Sequence, residues 1–423
     1  MTTSTDRRTT ARPARRRHLL RWVVLVLALL MIVPGVSYAR ALTYPGSATV
    51  EVRTIEWLAD HGGRGAVNAI ENWVYSRHAP PRVIGPGGTP PLPSVTGAAP
   101  SAPLNRAPFG PLTPDGQFSP SVPLSPHAPL VPTGPSAVPP PPTSTPAGAP
   151  APLPVLAGHP ALPGEGAWQA GRTDRTGRPA LFTTFIRPDA QHPGVVAGVA
   201  RFVPGRTAVH LVAGTREPQG ARVGAAAVPS SDVPDLVATF NSGWRTMDAP
   251  GGFYIDGAGA PTLTPGLASA VIDDHGRVTV GQWGRDVTMT PHVRAVRQNL
   301  RLIVDGGAPV PGLARNYQGS WGSPNNQFQY TWRSGLGNDA HGDLIYVAGN
   351  DLTLQTLAQA LVEAGVQRGM ELDIHSPHVS FTGWYGTGAA ARPRMLLPDL
   401  PSSTSKYLVP DQRDFFYVTQ VPR

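Results

Sequence analysis

Cysteine is absent from the 423 residues. That excludes a thiol nucleophile, a disulfide framework and any Cys-ligated zinc. Lysine is almost absent: Lys406 stands alone, so covalent chemistry through an amine has little to draw on. No GxGxxG, GxxxxGK[ST], HExxH or GxSxG is present, and no internal repeat is seen. Charge is sparse as well, at 15% of residues, and unevenly placed. Residues 1–21 contain seven arginines against Asp6, a balance of +6 out of the total of +8. The remaining chain is nearly neutral. The pI of about 10.2 is therefore a property of the N-terminus. No basic face or aromatic platform for nucleic acid accompanies it, and no nucleic-acid partner is expected.

What the chain has in excess is proline and glycine, 50 and 47 residues. Residues 80–163 hold 27 of the prolines and only three charged residues, Arg82, Arg106 and Asp115. Such a stretch buries too little apolar surface to offset its ordering entropy. It predicts a disordered, partly polyproline tether over 79–163.

Upstream, Trp22 to Val36 is almost continuously apolar, and the run 19–39 is long enough to cross most of a bilayer. Seven arginines before it predict a cytoplasmic tail over 1–18 and an exported remainder. An uncleaved anchor and a signal peptide cut after Ala39 both fit. Arg16-Arg17-His18-Leu19-Leu20 also has a twin-arginine look. Arg40 and the bulky Tyr38 make a poor cleavage site and favour a transmembrane anchor, with the chain held at the cell membrane and its C-terminal domain outside the cytoplasm. Between anchor and tether, 48–60 and 66–75 follow helical spacing around His61-Gly62-Gly63. They predict a helical hairpin over 48–78 beside the membrane.

Composition turns globular at Gly164, and 164–423 is enough for one sizeable core. Strand-like runs recur at 181–186, 195–202, 208–212, 237–240, 252–255, 269–272 and 278–282. The clearest local pattern is a strand over 343–348, a helix capped by Thr353 and stopped at Gly365, and a second strand over 369–373. This β-α-β reading predicts an α+β domain, a mixed sheet with flanking helices. It places Asp373 at the C-terminal end of a strand, where open α/β sheets bind ligands.

Asp373-Ile374-His375-Ser376-Pro377-His378 is the richest polar cluster. A turn accounts for it, a metal would need a third ligand, and Asp373 also suits a base or a substrate-orienting carboxylate. Asn241-Ser242-Gly243-Trp244 follows another strand. Arg315 precedes a polar and aromatic stretch from Trp321 to Trp332, with Arg333 next to it. Amides and rings of this kind suit a sugar surface, and a plain turn at 241–244 and a packed loop at 321–332 account for them equally.

At these residues the chain resembles the phosphodiester glycosidase domain family, that of the lysosomal uncovering enzyme. Asn241-Ser-Gly-Trp stands at the family's Asn-x-Gly-Phe-type turn, and Arg315-Asn-Tyr-Gln-Gly-Ser near its Arg-x-x-x-Gly segment. Residues 343–358 resemble its strand and Leu-Thr-x-x-x-Leu-Ala helix. Glu371-Leu-Asp373 matches the start of its Leu-Asp-Gly-Gly-Gly-Ser signature. The likeness covers roughly residues 200–385, and the Arg-rich start with Gly-Glu-Gly-Ala-Trp also looks like actinobacterial envelope proteins with this domain. After Asp373 the family's glycines are replaced by Ile374 to His378, where Ile and Pro cannot follow a glycine's backbone. The resemblance implies a hydrolase that cleaves a sugar 1-phosphodiester of the cell envelope; since the sequence announces no third metal ligand, no metal or other cofactor is expected. Asp373, His375 and His378 would be catalytic, and Asn241, Gly243, Arg315 and Arg333 would bind substrate. A non-catalytic module that binds envelope carbohydrate is the alternative on the same fold.

Overall fold

The computed structural model describes residues 22–23, 31–44, 48–77, 79–83, 91–93, 145–221, 224–315, 319–322, 326–376 and 378–421. Three antiparallel sheets form the domain. The first runs in the order β1 (Gln169–Ala170), β2 (Leu181–Ile186), β3 (Ala197–Phe202), β14 (Leu344–Leu352), β13 (Thr331–Asp339), β15 (Val366–Ile374), β11 (Leu302–Asp305), β12 (Ala308–Pro309). A second contains β7 (Ala258–Gly259), β6 (Phe253–Ile255), β10 (Val293–Gln298), β8 (Ala268–Asp273) and β9 (Val278–Gln282). The third contains β17 (Arg392–Met395), β16 (Phe381–Tyr385), β5 (Leu236–Asn241), β18 (Phe415–Gln420) and β4 (Thr207–Val212).

The expected α+β class is thus corrected: the domain is mostly β. One α-helix, Leu354–Glu363, accompanies these sheets among the described residues. We call it α3. Its local signals work as expected, since Thr353 and Thr356 form a reciprocal capping box and Gly365 follows at φ +93°. The β-α-β order of 344–374 is also present. However, β13 lies between β14 and β15 and pairs antiparallel with both.

Alternation builds the layers. Ile345 and Val347 of β14 join the cluster under α3 with Leu354, Leu357, Ala358 and Leu361. Tyr346 and Ala348 face the third sheet, where Phe240 lies 5.1 Å from Tyr346 and 5.3 Å from Phe416, ring to ring. Along β15, Met370 and Leu372 enter that same core. A bulge opposite Ser334 breaks the alternation after Glu371, so Glu371 turns to Arg333 within the first sheet and Asp373 to Arg413 at the edge of the third.

Upstream, α1 (Val50–Leu58) and α2 (Arg64–Arg77) are joined by a turn at 59–63 with Gly62 at φ +92°. Residues 31–43 are also helical. The expected transmembrane helix is not supported: among the described residues no helix is long and apolar enough to cross a membrane. Much of the 19–39 run, and all of 1–18, lies outside the described residues.

The expected tether differs at its C-terminal end. Residues 94–144 lie outside the described residues, whereas 145–163 pack on the domain. Trp168 Nε1 donates to Ala151 O at 2.9 Å, and Leu153 N to Gly166 O at 2.9 Å. The Glu165 carboxylate accepts from the backbone N–H of Leu156 and Leu162 and from Arg187 at 2.9 and 2.8 Å. Both partners are buried, so Glu165→Gln leaves the Arg187 guanidinium without its counter-charge. The expected loss is about 3 kcal/mol in urea unfolding, with faster proteolysis between 145 and 163. An unchanged midpoint refutes this role.

Candidate active site

Asp373 sits at the end of β15, 6% exposed, on the wall of a cavity of about 160 Å³. Its Oδ1 accepts from Ile374 N at 3.0 Å and its Oδ2 from Arg413 Nη2 at 2.5 Å. Burial pushes its carboxyl up to about 6, with the Arg413 charge and the Ile374 hydrogen bond pulling the other way. Arg413 lies just before β18. Its Nη2 also donates to Gly243 O at 3.3 Å, and its Nε, although buried, has no acceptor among the described residues.

His375 and His378 line the same cavity. Pro377 lies outside the described residues. His375 shares a hydrogen bond with Thr331 Oγ1 at 3.0 Å and stacks on Tyr75 of α2, with ring centroids 4.7 Å apart. Burial, then the Arg333 charge, drives its imidazole down to about 3. His378 is also pushed down, by burial and by Arg413. Both rings are neutral at neutral pH, so they can pass or orient a proton but hold no anion by charge. His375 has φ +68°, the left-handed conformation favoured by glycine. Of the residues that replace the family's glycines, it is His375, not Ile374, that takes this backbone.

The substrate-binding candidates are placed differently. Asn241 is buried behind the cavity wall. Its amide donates to Ser242 O and Ser334 Oγ, both at 2.9 Å, and its Oδ1 accepts from Tyr346 Oη and Ser380 N. Every face of the amide is in use. Gly243 has a packing reason: a Cβ there would lie 2.9 Å from Asn299 Cγ. Arg333 is buried against Glu371 at 2.5 Å, with burial pushing Glu371 up to about 7 and the guanidinium down. Arg315 is exposed on a short turn, outside the cavity lining, and residues 316–318 lie outside the described residues.

Sequence reasoning missed the residues that complete the wall. Arg245 and Asp248 come from the loop after β5, and Asn326 and Gln329 precede β13. Glu56, Arg64 and Glu71 come from the two-helix segment. Arg245 Nε donates to Asp248 at 2.7 Å and its Nη1 to Asp60 Oδ1 at 2.9 Å. Glu71, raised by burial, stands 3.8 Å from His375 Nε2. The Trp244 indole N–H and Gln329 Oε1 are buried without a partner among the described residues. Polar atoms left over on a cavity wall are what water or a hydroxylated ligand satisfies. Among the described residues no group of three His, Asp or Glu side chains is arranged to hold a metal ion.

No family model matches the chain, and no curated protein matches it. Fourteen chains of solved structures do. One is the zebrafish N-acetylglucosamine-1-phosphodiester alpha-N-acetylglucosaminidase catalytic domain, described as auto-inhibited by its pro-peptide. It is 16% identical over 60% of this chain and 88% of that one, with a TM-score of 0.35. Another is a hypothetical protein from Synechocystis, 11% identical over 54% of this chain and 59% of that one, with a TM-score of 0.31. With TM-scores below 0.5, no residue role is carried over from them.

The left-handed His375 gives a direct test. His375→Gly and His375→Ala remove the same ring contacts, but only glycine fits φ +68° without strain. The glycine variant should be more stable than the alanine variant by about 1 kcal/mol in urea unfolding. Equal stability, or the reverse order, refutes the strain.

Proposed function

We propose that this chain is an exported hydrolase that cleaves a sugar 1-phosphodiester. One observation carries the reading: a carboxylate at a strand end, on a cavity wall, with its pKa raised to about 6 and an arginine on one oxygen. Such a group is a base poised near neutral pH, next to a cation suited to phosphate. The sequence resemblance through Glu371-Leu-Asp373 points to the same chemistry.

The leaving group explains why one carboxylate suffices. An ordinary glycosidase pairs an acid with a base or nucleophile because an alkoxide leaves poorly. A phosphate monoester is a much weaker base and departs without a proton. Asp373 takes a proton from water as the water oxygen bonds to the anomeric carbon. The bond from that carbon to the phosphate oxygen breaks, and its electron pair leaves with the phosphate. Arg413 spans both ends of this reaction, orienting Asp373 and facing the developing charge.

The neutral form of Asp373 cannot accept the proton, so the rate should rise as pH passes upward through about 6. Stability moves the other way. The folded pKa lies above the unfolded value of about 4, so this group's contribution is lost as pH rises from about 4 to about 6. Asp373→Asn in the full chain should lower sugar release from a phosphodiester at least ~100-fold and flatten that limb of the profile. Unchanged release refutes the assignment. The Trp244 ring and the unpartnered polar atoms of the wall also favour a carbohydrate-binding module. Glycan binding by wild type and Asp373→Asn alike, without turnover by either, would establish that second reading.

A further inference from the structure

The two-helix segment meets the domain with its charged side. In α1 the buried residues are Arg53 and Glu56, while Val50, Ile55 and Leu58 are exposed. In α2, Ile70 and Trp73 are exposed. What faces the domain is a row of polar and ionic contacts. Asp60 reaches Arg245 at 2.9 Å and Arg216 at 3.2 Å, and Glu56 reaches Arg413 at 3.7 Å. Arg64 pairs with Asp248, and Asn72 Oδ1 accepts from Gln329 Nε2 at 2.5 Å.

Two of these arginines already have a carboxylate within the domain, Asp248 for Arg245 and Asp373 for Arg413. Asp60 and Glu56 are second acids on the same guanidinium groups, supplied from outside the sheets. They take donors that a bound anion would use. Space points the same way. A cavity of about 160 Å³ is close to the ~150 Å³ that admits a benzene ring, and a sugar phosphodiester is larger.

We propose that Arg245 and Arg413, with Arg216 behind them, form the subsite for the phosphate of the substrate ester. Glu56 and Asp60 occupy it from the two-helix segment as built-in anion mimics, which the ester phosphate displaces. This rests on the reading of the site as one for a sugar phosphodiester. It assigns the phosphate end to residues outside the strand-end segment, and it makes 50–77 a competitor of substrate. Apart from the Tyr75 ring on His375 and the side chains of Ile55 and Val67 on the cavity wall, the contacts across the seam are ionic or polar, so its release is favoured by anions and salt.

The test is calorimetric binding of inorganic phosphate and of glucose 1-phosphate to the full chain. Glu56→Gln with Asp60→Asn should bind both anions at least tenfold more tightly than wild type. Arg216→Gln added to that pair should cut the gain several-fold. In wild type, saturating glucose 1-phosphate should raise backbone hydrogen exchange across 50–77. That measurement decides the matter if the double variant does not fold. Unchanged affinity in a folded double variant, or unchanged exchange in wild type, overturns the proposal. Equal affinity for both anions overturns the assignment to the ester and leaves free phosphate as the ligand. Anion binding of the expected kind without turnover of any sugar phosphodiester would refute the hydrolase reading alone. Asp373-dependent turnover without it would refute the subsite alone.

Discussion

Two adjacent residues, Arg413 and Asp414, tie the three sheets together. They precede β18 of the third sheet. Arg413 turns to Asp373 on β15 of the first sheet, and Asp414 turns to Arg297 on β10 of the second at 2.7 Å. Each pair takes charges out of water, which costs several kcal/mol per ion unless the geometry is good and other bonds complete it. Here they do. Arg297 also donates to Gln298 O and Trp244 O, both at 2.6 Å, and Arg413 to Gly243 O. The same dipeptide thus fixes the loop after β5 and sets Trp244 on the cavity wall. The candidate site lies where three sheets must meet, and its charges hold that junction.

Position along one strand separates the roles of the two acids on β15. Glu371 and Asp373 are two residues apart, with a bulge in β15 between Glu371 and Ile374. Glu371 lies inside the sheet, paired with Arg333 from the adjacent strand and closed off from the cavity lining. Asp373 lies at the strand end, where the sheet stops and the cavity begins. Identical chemistry therefore becomes a structural ion pair at one position and a reachable base at the next. Asn241 follows the same logic. It ends β5, but its partners on β13, β14 and the chain before β16 consume its amide, so it braces the wall without facing the cavity.

Local signals were readable and distant pairings were not. Strands 181–186 and 278–282 and the Thr353 cap were legible because alternation and capping are properties of a few neighbouring residues. The fold class was misread because β13 slots between β14 and β15. Nothing in residues 331–339 states which strands they will join. Asp373, His375 and His378 were legible as a polar cluster after a strand. Arg413 was not, since Gln-Arg-Asp before a strand reads as an ordinary surface turn, and its partner lies 40 residues away in sequence. The two helices were legible from their spacing, but the side that docks was not, because it depends on ionic partners such as Arg245 and Arg413 that are distant in sequence.

His375 links that docking to the strand-end backbone. A non-glycine residue at φ +68° costs on the order of 1–2 kcal/mol. The cost is offset by bonds that close the turn: His378 N donates to His375 O at 2.9 Å, and His375 N to Trp332 O at 2.8 Å. The other support is external, the Tyr75 ring stacked on the imidazole from α2. Glycines at this place would need no such support and would leave the turn indifferent to its neighbours. With histidine the strain is better compensated when α2 is docked. Undocking must give up the stack while the strained backbone remains, and that biases the segment toward the docked arrangement.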